Sequence, residues 1–159
     1  MVMQIYSLEK GNIDERDLKS RIWYFLNSQD KMVLAYTNEA GEPVQSYMLY
    51  VVDDDFNIYF GTLKRFAKYE ALINNPPLSI FVAEEKEKSL VAVTIKATII
   101  KEYQDKSEIN ILLKEFDRKN SCKYFIKDQD DFVAFKAKIL SARMIDGSQG
   151  KLLRYDYFL

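Results

Sequence analysis

A chain of 159 residues has the length of one domain and can bury roughly two-thirds of the surface its unfolded form would expose. Hydrophobic residues make up 48% and aromatics 14%, with 5 Gly and 3 Pro, which excludes a disordered or fibrous chain. A net charge of −1 excludes a nucleic-acid backbone as the main partner, and the absence of histidine removes Ser-His and Cys-His nucleophiles and His-ligated zinc or haem.

The opening residues MVMQIYSLEKGN bring charges too early for a signal peptide, and no later apolar run reaches a membrane-spanning length. The lone Cys122, expected to be a small, semi-buried residue with no role, cannot form an intramolecular disulfide. These features predict a cytoplasmic protein without a membrane or nucleic-acid partner. Asn12 with Glu15 three residues on predicts a capped helix over about residues 13 to 28, with Leu18, Ile22, Phe25 and Leu26 on one face. Met32 to Tyr36 is a first strand. The turn NEAGEP follows, then a second strand from Val44 to Val52, both strands reading as buried on two sides. Asp53, Asp54 and Asp55 predict a hairpin turn, because adjacent side chains on an extended chain point to opposite faces and do not converge on one metal ion.

The stretch YFGTLKRFAKYEALINNP, Tyr59 to Pro76, holds the best candidate site. It reads as the end of a third strand begun at Asn57, a turn at Gly61 and Thr62, and a short cationic helix stopped by Asn74, Asn75 and Pro76. Phe66, Tyr69 and Ile73 recur on one helical face, with Lys64 and Lys68 on another. Two readings of the basic side stand. It is a solvated face with Thr62 as N-cap, or it is a phosphate site in which the helix N-terminus works with Thr62, Lys64, Arg65 and Lys68.

A fourth strand is expected at Leu78 to Ala83 and a polar loop at Glu84 to Ser89. The fifth strand alternates Val91, Val93, Ile95, Ala97 and Ile99 with more polar neighbours. Asp105 and Glu108 open a third helix striped with Ile109, Leu112, Leu113 and Phe116 and ending near Asn120. After a turn around Asp128 to Asp131, a sixth strand carries Val133, Phe135, Ala137 and Ile139, and Lys151 to Leu159 forms a terminal strand after Gly147 and Gly150. The whole reads as one domain, residues 1–159, mainly β, an antiparallel barrel of about six to seven strands with three flanking α-helices.

Within Met32 to Ile100, the elements Phe60-Gly61-Thr62, Lys68 and Asn75-Pro76 resemble the FMN-binding split barrel of the pyridoxamine 5′-phosphate oxidase-like proteins, a Greek-key fold. The resemblance implies FMN in a groove of a homodimer. Gly61, Thr62 and Lys68 would be near its phosphate end and the stretch Gln45, Ser46, Tyr47, Met48, Leu49 and Tyr50 along its ring. Thr94 would approach from the same or the neighbouring chain. Lys64 and Arg65 would compensate for Phe66 and Ala67, which replace the family's Ser and Arg before the lysine. The oxidases' Arg and Lys at the ends of the second-strand motif, their polar fifth-strand motif and their C-terminal Trp and Arg-Leu have no counterparts here. The resemblance is therefore to the stress-protein or flavin-reductase-like kind rather than to the vitamin B6 oxidase. It implies a flavin-dependent oxidoreductase on an unknown small-molecule substrate. The alternative is a non-catalytic flavin- or small-ligand-binding module. A third reading, a related barrel using deazaflavin or haem, is disfavoured: the chain has no histidine for haem, and a deazaflavin tail wants a longer basic groove than Lys64, Arg65 and Lys68 provide. Tyr47, Tyr50, Tyr155, Tyr157 and Phe158 are the candidates to stack on ring or substrate, against a core or interface role for each.

Overall fold

The computed structural model describes residues 8–87, 89–119 and 130–159. Cys122, the end of the third helix at Asn120 and the start of the turn at Asp128 lie outside them.

The first strand, β1 (Leu8–Lys10), was not expected; it pairs in parallel with the last strand, β9 (Leu152–Phe158). Helix α1 (Glu15–Ser28) starts later than Asn12 predicts, because Asp14 is the cap and accepts the backbone N–H of Arg16. Its predicted stripe is its buried face: Leu18, Ile22, Phe25 and Leu26 all enter the core. Full burial of each such aliphatic side chain contributes about 2 kcal/mol.

β2 (Lys31–Thr37) and β3 (Pro43–Leu49) form an antiparallel hairpin with Met32 opposite Met48 and Ala35 opposite Gln45. Neither is buried on two sides as expected. β2 alternates buried and half-buried residues, and β3 alternates exposed and half-buried ones at the rim of the sheet. The single second strand expected from Val44 to Val52 is broken at Tyr50, after which β4 (Val51–Val52) pairs with β5 (Asn57–Leu63) instead of β2. The aspartate turn joins β4 and β5 as predicted: Asp53 accepts the backbone N–H of Asn57 at 2.8 Å and the hydroxyl of Tyr59 at 2.9 Å.

After α2 (Ala67–Asn74), β6 (Pro77–Lys86) pairs with β7 (Ser89–Tyr103) along its whole length. The polar loop expected from Glu84 therefore shrinks to a tight turn that includes Glu87 at a φ of 50°. α3 (Lys106–Lys119) leads to β8 (Phe132–Asp146), which pairs with β7, β5 and β9. The described residues thus give nine strands, in the order β1-β9-β8-β7-β6-β2-β3, with β4 and β5 joined through β8. Splitting one expected strand and adding β1 accounts for the higher count.

Because residues 43–52 pair first with β2 and then with β5, one chain segment carries the ladder across the gap and the sheet rolls into a split barrel. Ile58, Phe60, Ile80, Val93, Ile95, Phe135 and Ile139 fill its interior. A second cluster of Leu63, Ile109, Phe132 and Ala134 holds α3 against the outside of β5 and β8.

Candidate functional site

β5 does not turn at Gly61 and Thr62. It runs through Leu63, with Gly61 opposite Ala134 and Thr62 opposite Val133. Gly61 serves packing: a Cβ there would overlap the Phe132 ring and lie 3.0 Å from the Val133 carbonyl oxygen. Thr62 faces inward with Phe60 by strand alternation, is buried, and its hydroxyl makes no hydrogen bond among the described residues.

The helix expected to begin at Thr62 begins at Ala67, with Phe66 at the N-cap and no side chain capping it. Thr62 is therefore not its cap. Of Phe66, Tyr69 and Ile73 only Tyr69 packs against the core; Phe66 and Ile73 are exposed, and the helix buries Ala71 and Leu72 instead. Asn75 and Pro76 do stop it, the Asn75 N–H closing on the Ala71 carbonyl.

The three basic residues of this stretch have different environments. Lys64 donates to Gln104 Oε1 at 2.7 Å, and Arg65 pairs with Asp131 at 2.7 Å, both at the surface. Lys68 is half-buried, and its Nζ lies 3.8 Å from the sulfur of Met48 with no carboxylate partner among the described residues. Burial holds its ammonium below the usual lysine range. Next to it, Tyr69 donates to Glu102 at 2.8 Å, a bond that, helped by burial, pushes the phenol up to about 12.

Strand alternation divides the candidate residues of β3 between two faces. Val44 and Met48 pack against the core, with Ser46 on their side, while Gln45, Tyr47 and Leu49 point outward. Tyr50 is fully buried and donates to the Leu26 carbonyl at 2.5 Å, so its ring does not reach a surface ligand. Tyr155 and Tyr157 are also buried, which leaves Tyr47, 74% exposed, and Phe158, 70% exposed, as the rings presented to solvent.

On the outer face, register places Tyr47, Val33, Phe81, Thr94, Arg143 and Asp156 in one row across five strand boundaries. Thr94 lies three strand spacings from Tyr47, about 14 Å. Thr94 therefore stands three strands away from β3, the strand whose Met48 touches Lys68. At the far end of the row the Asp156 carboxylate sits between Arg143 Nε at 2.6 Å and Arg154 Nε at 3.2 Å. The sequence reading missed this charged rim. Its signal was the pairing register of the last two strands, which a single sequence does not print.

Among the described residues, no group of three or more His, Cys, Asp or Glu is placed to hold a metal ion, and no helix is long and apolar enough to cross a membrane.

No protein-family model matches the sequence, and no curated protein matches it significantly. Solved structures do. A conserved hypothetical protein of Mycobacterium tuberculosis superposes with a TM-score of 0.72 at 18% identity, over 89% of this chain and 91% of that one. A protein related to general stress protein 26 of Bacillus subtilis, of the pyridoxine phosphate oxidase family and from Clostridium acetobutylicum, gives 0.66 at 14% identity, over 92% and 97%. An F420 reductase gives 0.63 at 14% identity, over 75% and 93%. These likenesses show the fold: the chain is a split barrel of the pyridoxamine 5′-phosphate oxidase-like type.

Proposed function

We propose that this split barrel binds FMN at the seam of a homodimer and is a flavin-dependent oxidoreductase acting on a small molecule. The observation that carries the reading is Lys68. An ammonium drawn half out of water, against a thioether and without a carboxylate, has lost hydration that a phosphate would restore. In this reading Lys68 holds the phosphate, helped by the uncapped N-terminus of α2 and by the hydroxyl of Thr62, which has no hydrogen-bond partner among the described residues. Gln45, Tyr47 and Leu49 line the ring from one copy. Thr94, three strands away from β3 within its own chain, serves the site of the other copy. Bound FMN supplies hydride and electron transfer, so no side chain of this chain has to act as acid or base. The setting is the cytoplasm, since nothing in the chain depends on an oxidising compartment.

One observation favours a binding module without turnover. Phe66 and Ala67 stand where the family's Ser and Arg would add anion contacts, and Lys64 and Arg65 are held by Gln104 and Asp131. The phosphate then rests on one lysine.

The test is the visible spectrum of the purified protein with and without added FMN. A flavin band that elutes with the protein on gel filtration supports binding, and none eluting with it after equilibration with saturating FMN overturns it. Anaerobic NADH or NADPH then separates the two readings, because only a redox-competent flavin bleaches.

A further inference from the structure

At the end of β5 opposite to α2, a cleft of about 540 Å³ opens between α1, the β4–β5 turn and α3. Its size falls in the range of small-molecule sites. Trp23 and Asn27 of α1 form one wall, Leu112 and Phe116 of α3 the other, and Tyr59 lies on the floor with Val51 and Val52. Trp23 is fixed there, since its indole N–H donates to the Asp53 carbonyl at 3.0 Å and its ring meets Tyr24 edge-on at 5.2 Å. A smaller depression of about 270 Å³ adjoins it, sharing Trp23 and Asp54.

The charged groups of the cleft are unequal in their commitments. Asp53 is occupied by Asn57 and Tyr59, and Glu115 by Arg118, whose Nε and Nη2 both donate to Glu115 Oε2. Asp54 is exposed, lines both depressions, and makes no hydrogen bond or ion pair among the described residues. The cleft thus offers a rigid indole, an apolar bed and one uncommitted carboxylate. An indole face and a carboxylate together attract a cation, while apolar walls select one with a hydrocarbon body. Lys19, which also lines the smaller depression, is placed over the Phe56 ring and forms no ion pair with Asp54 among the described residues.

We propose that this cleft is a second ligand site, separate from the Lys68 region, that takes an organic ammonium ion with an aryl or alkyl body. Its cationic head sits between Asp54 and Trp23, and its body lies on Leu112 and Val51.

Trp23 is the only tryptophan of the chain, so its emission, excited selectively, reports on this cleft. The full chain is titrated with 4-phenylbutylammonium and, separately, with 4-phenylbutanol, which has the same body and no charge. The proposal expects a saturable change in Trp23 emission with the amine, at an affinity on the order of fivefold tighter than for the alcohol. Asp54→Asn should weaken the amine toward the alcohol's affinity and leave the alcohol unchanged. Because Asp54 is exposed and outside the hydrogen bonds of its turn, this variant keeps the fold, which circular dichroism checks. Linear quenching without saturation, equal binding of amine and alcohol, or an amine affinity unmoved in Asp54→Asn would each overturn the proposal.

Discussion

Lys68, Gly61 and Lys119 show how far a residue's neighbours decide its role. Lys68 and Arg65 are both cations of the same stretch, yet Arg65 is matched by Asp131 and Lys68 only by a sulfur. Lys68→Ala should therefore weaken FMN binding by about 1.5–3 kcal/mol, the value of a charge-assisted hydrogen bond. Arg65→Ala should change it little; equilibrium fluorescence titration of FMN compares the two, and equal losses would mean that the anion is read diffusely. The resemblance of Phe60-Gly61-Thr62 to the family's element places Gly61 near the cofactor. Its neighbours give it another role, since the Phe132 ring occupies the space of its missing side chain. Gly61→Ala should cost about 1–3 kcal/mol of stability by overpacking, measured by urea denaturation. Lys119, at the end of α3, donates to the Leu26 carbonyl at 3.1 Å and lies 4.2 Å from the centre of the Tyr50 ring. Burial lowers its ammonium to about 8, against an upward pull from Asp30. Between about 8 and the ordinary value of 10.5 the unfolded chain binds more protons than the folded one. The cost of burying the charge is thus full below pH 8, and stability rises with pH across that window. Denaturation midpoints at pH 8 and pH 10 should show this rise in the wild-type chain and a flatter response in Lys119→Met.

At the scale of elements, the segment 43–52 has the largest consequence, because its break at Tyr50 lets one strand serve two partners. Tyr50 is anchored at both ends: its N–H donates to the Asp30 carbonyl at 3.3 Å and its hydroxyl to the Leu26 carbonyl. The Leu26 carbonyl also receives the Gln29 N–H and Lys119, so Tyr50→Phe leaves it satisfied. That substitution should cost only about 1 kcal/mol in chemical denaturation, with the fold intact. Nothing in VQSYMLYVV signals the break, since every residue suits a strand and the change of partner is a tertiary event. By contrast α1, β7 and β8 were legible, because their apolar residues repeat at a single period over many positions. The short α2 was read on a face of which only Tyr69 packs against the core. Eight residues give barely two turns, and the spacing of Phe66, Tyr69 and Ile73 competes with a buried pair, Ala71 and Leu72, that lies on another side. The start of α1 failed for a smaller reason: Asn12 and Asp14 both suit an N-cap, and local pattern does not choose between them. In the candidate site Lys68 was legible from its motif, but its partner Met48 lies 20 residues away on a different element. The partners of Lys64 and Arg65 lie farther still, at Gln104 and Asp131.

For the whole molecule, the barrel has an interior closed by its core and an outer sheet face that none of the described residues covers. Tyr47, Phe81 and Phe158 stand on that face at 74%, 43% and 70% exposure, around Val33 and Ala35, with the Arg143–Asp156 pair at its rim. An exposed apolar surface with a charged border is the usual character of an interface. The spacing between Tyr47 and Thr94 gives the same face a second reason to meet a copy of itself. In the proposed arrangement, pairing would bring the Thr94 of one chain to the strand proposed to line the ring in the other. The dimer and the cofactor site are then one structural commitment, and a single surface substitution separates the possibilities. Tyr47→Glu alters a residue so exposed that the fold is not at stake, but it places a carboxylate in the proposed seam. Sedimentation velocity should show a dimer shifting toward monomer, and FMN affinity should fall with it, by roughly tenfold or more if like charges meet across a two-fold axis. A wild-type chain that sediments as a monomer at micromolar concentration while holding FMN would mean that each site is complete within one chain, and Thr94 would leave the site. A dimer that persists in Tyr47→Glu with FMN lost would keep Tyr47 against the flavin and move the seam elsewhere.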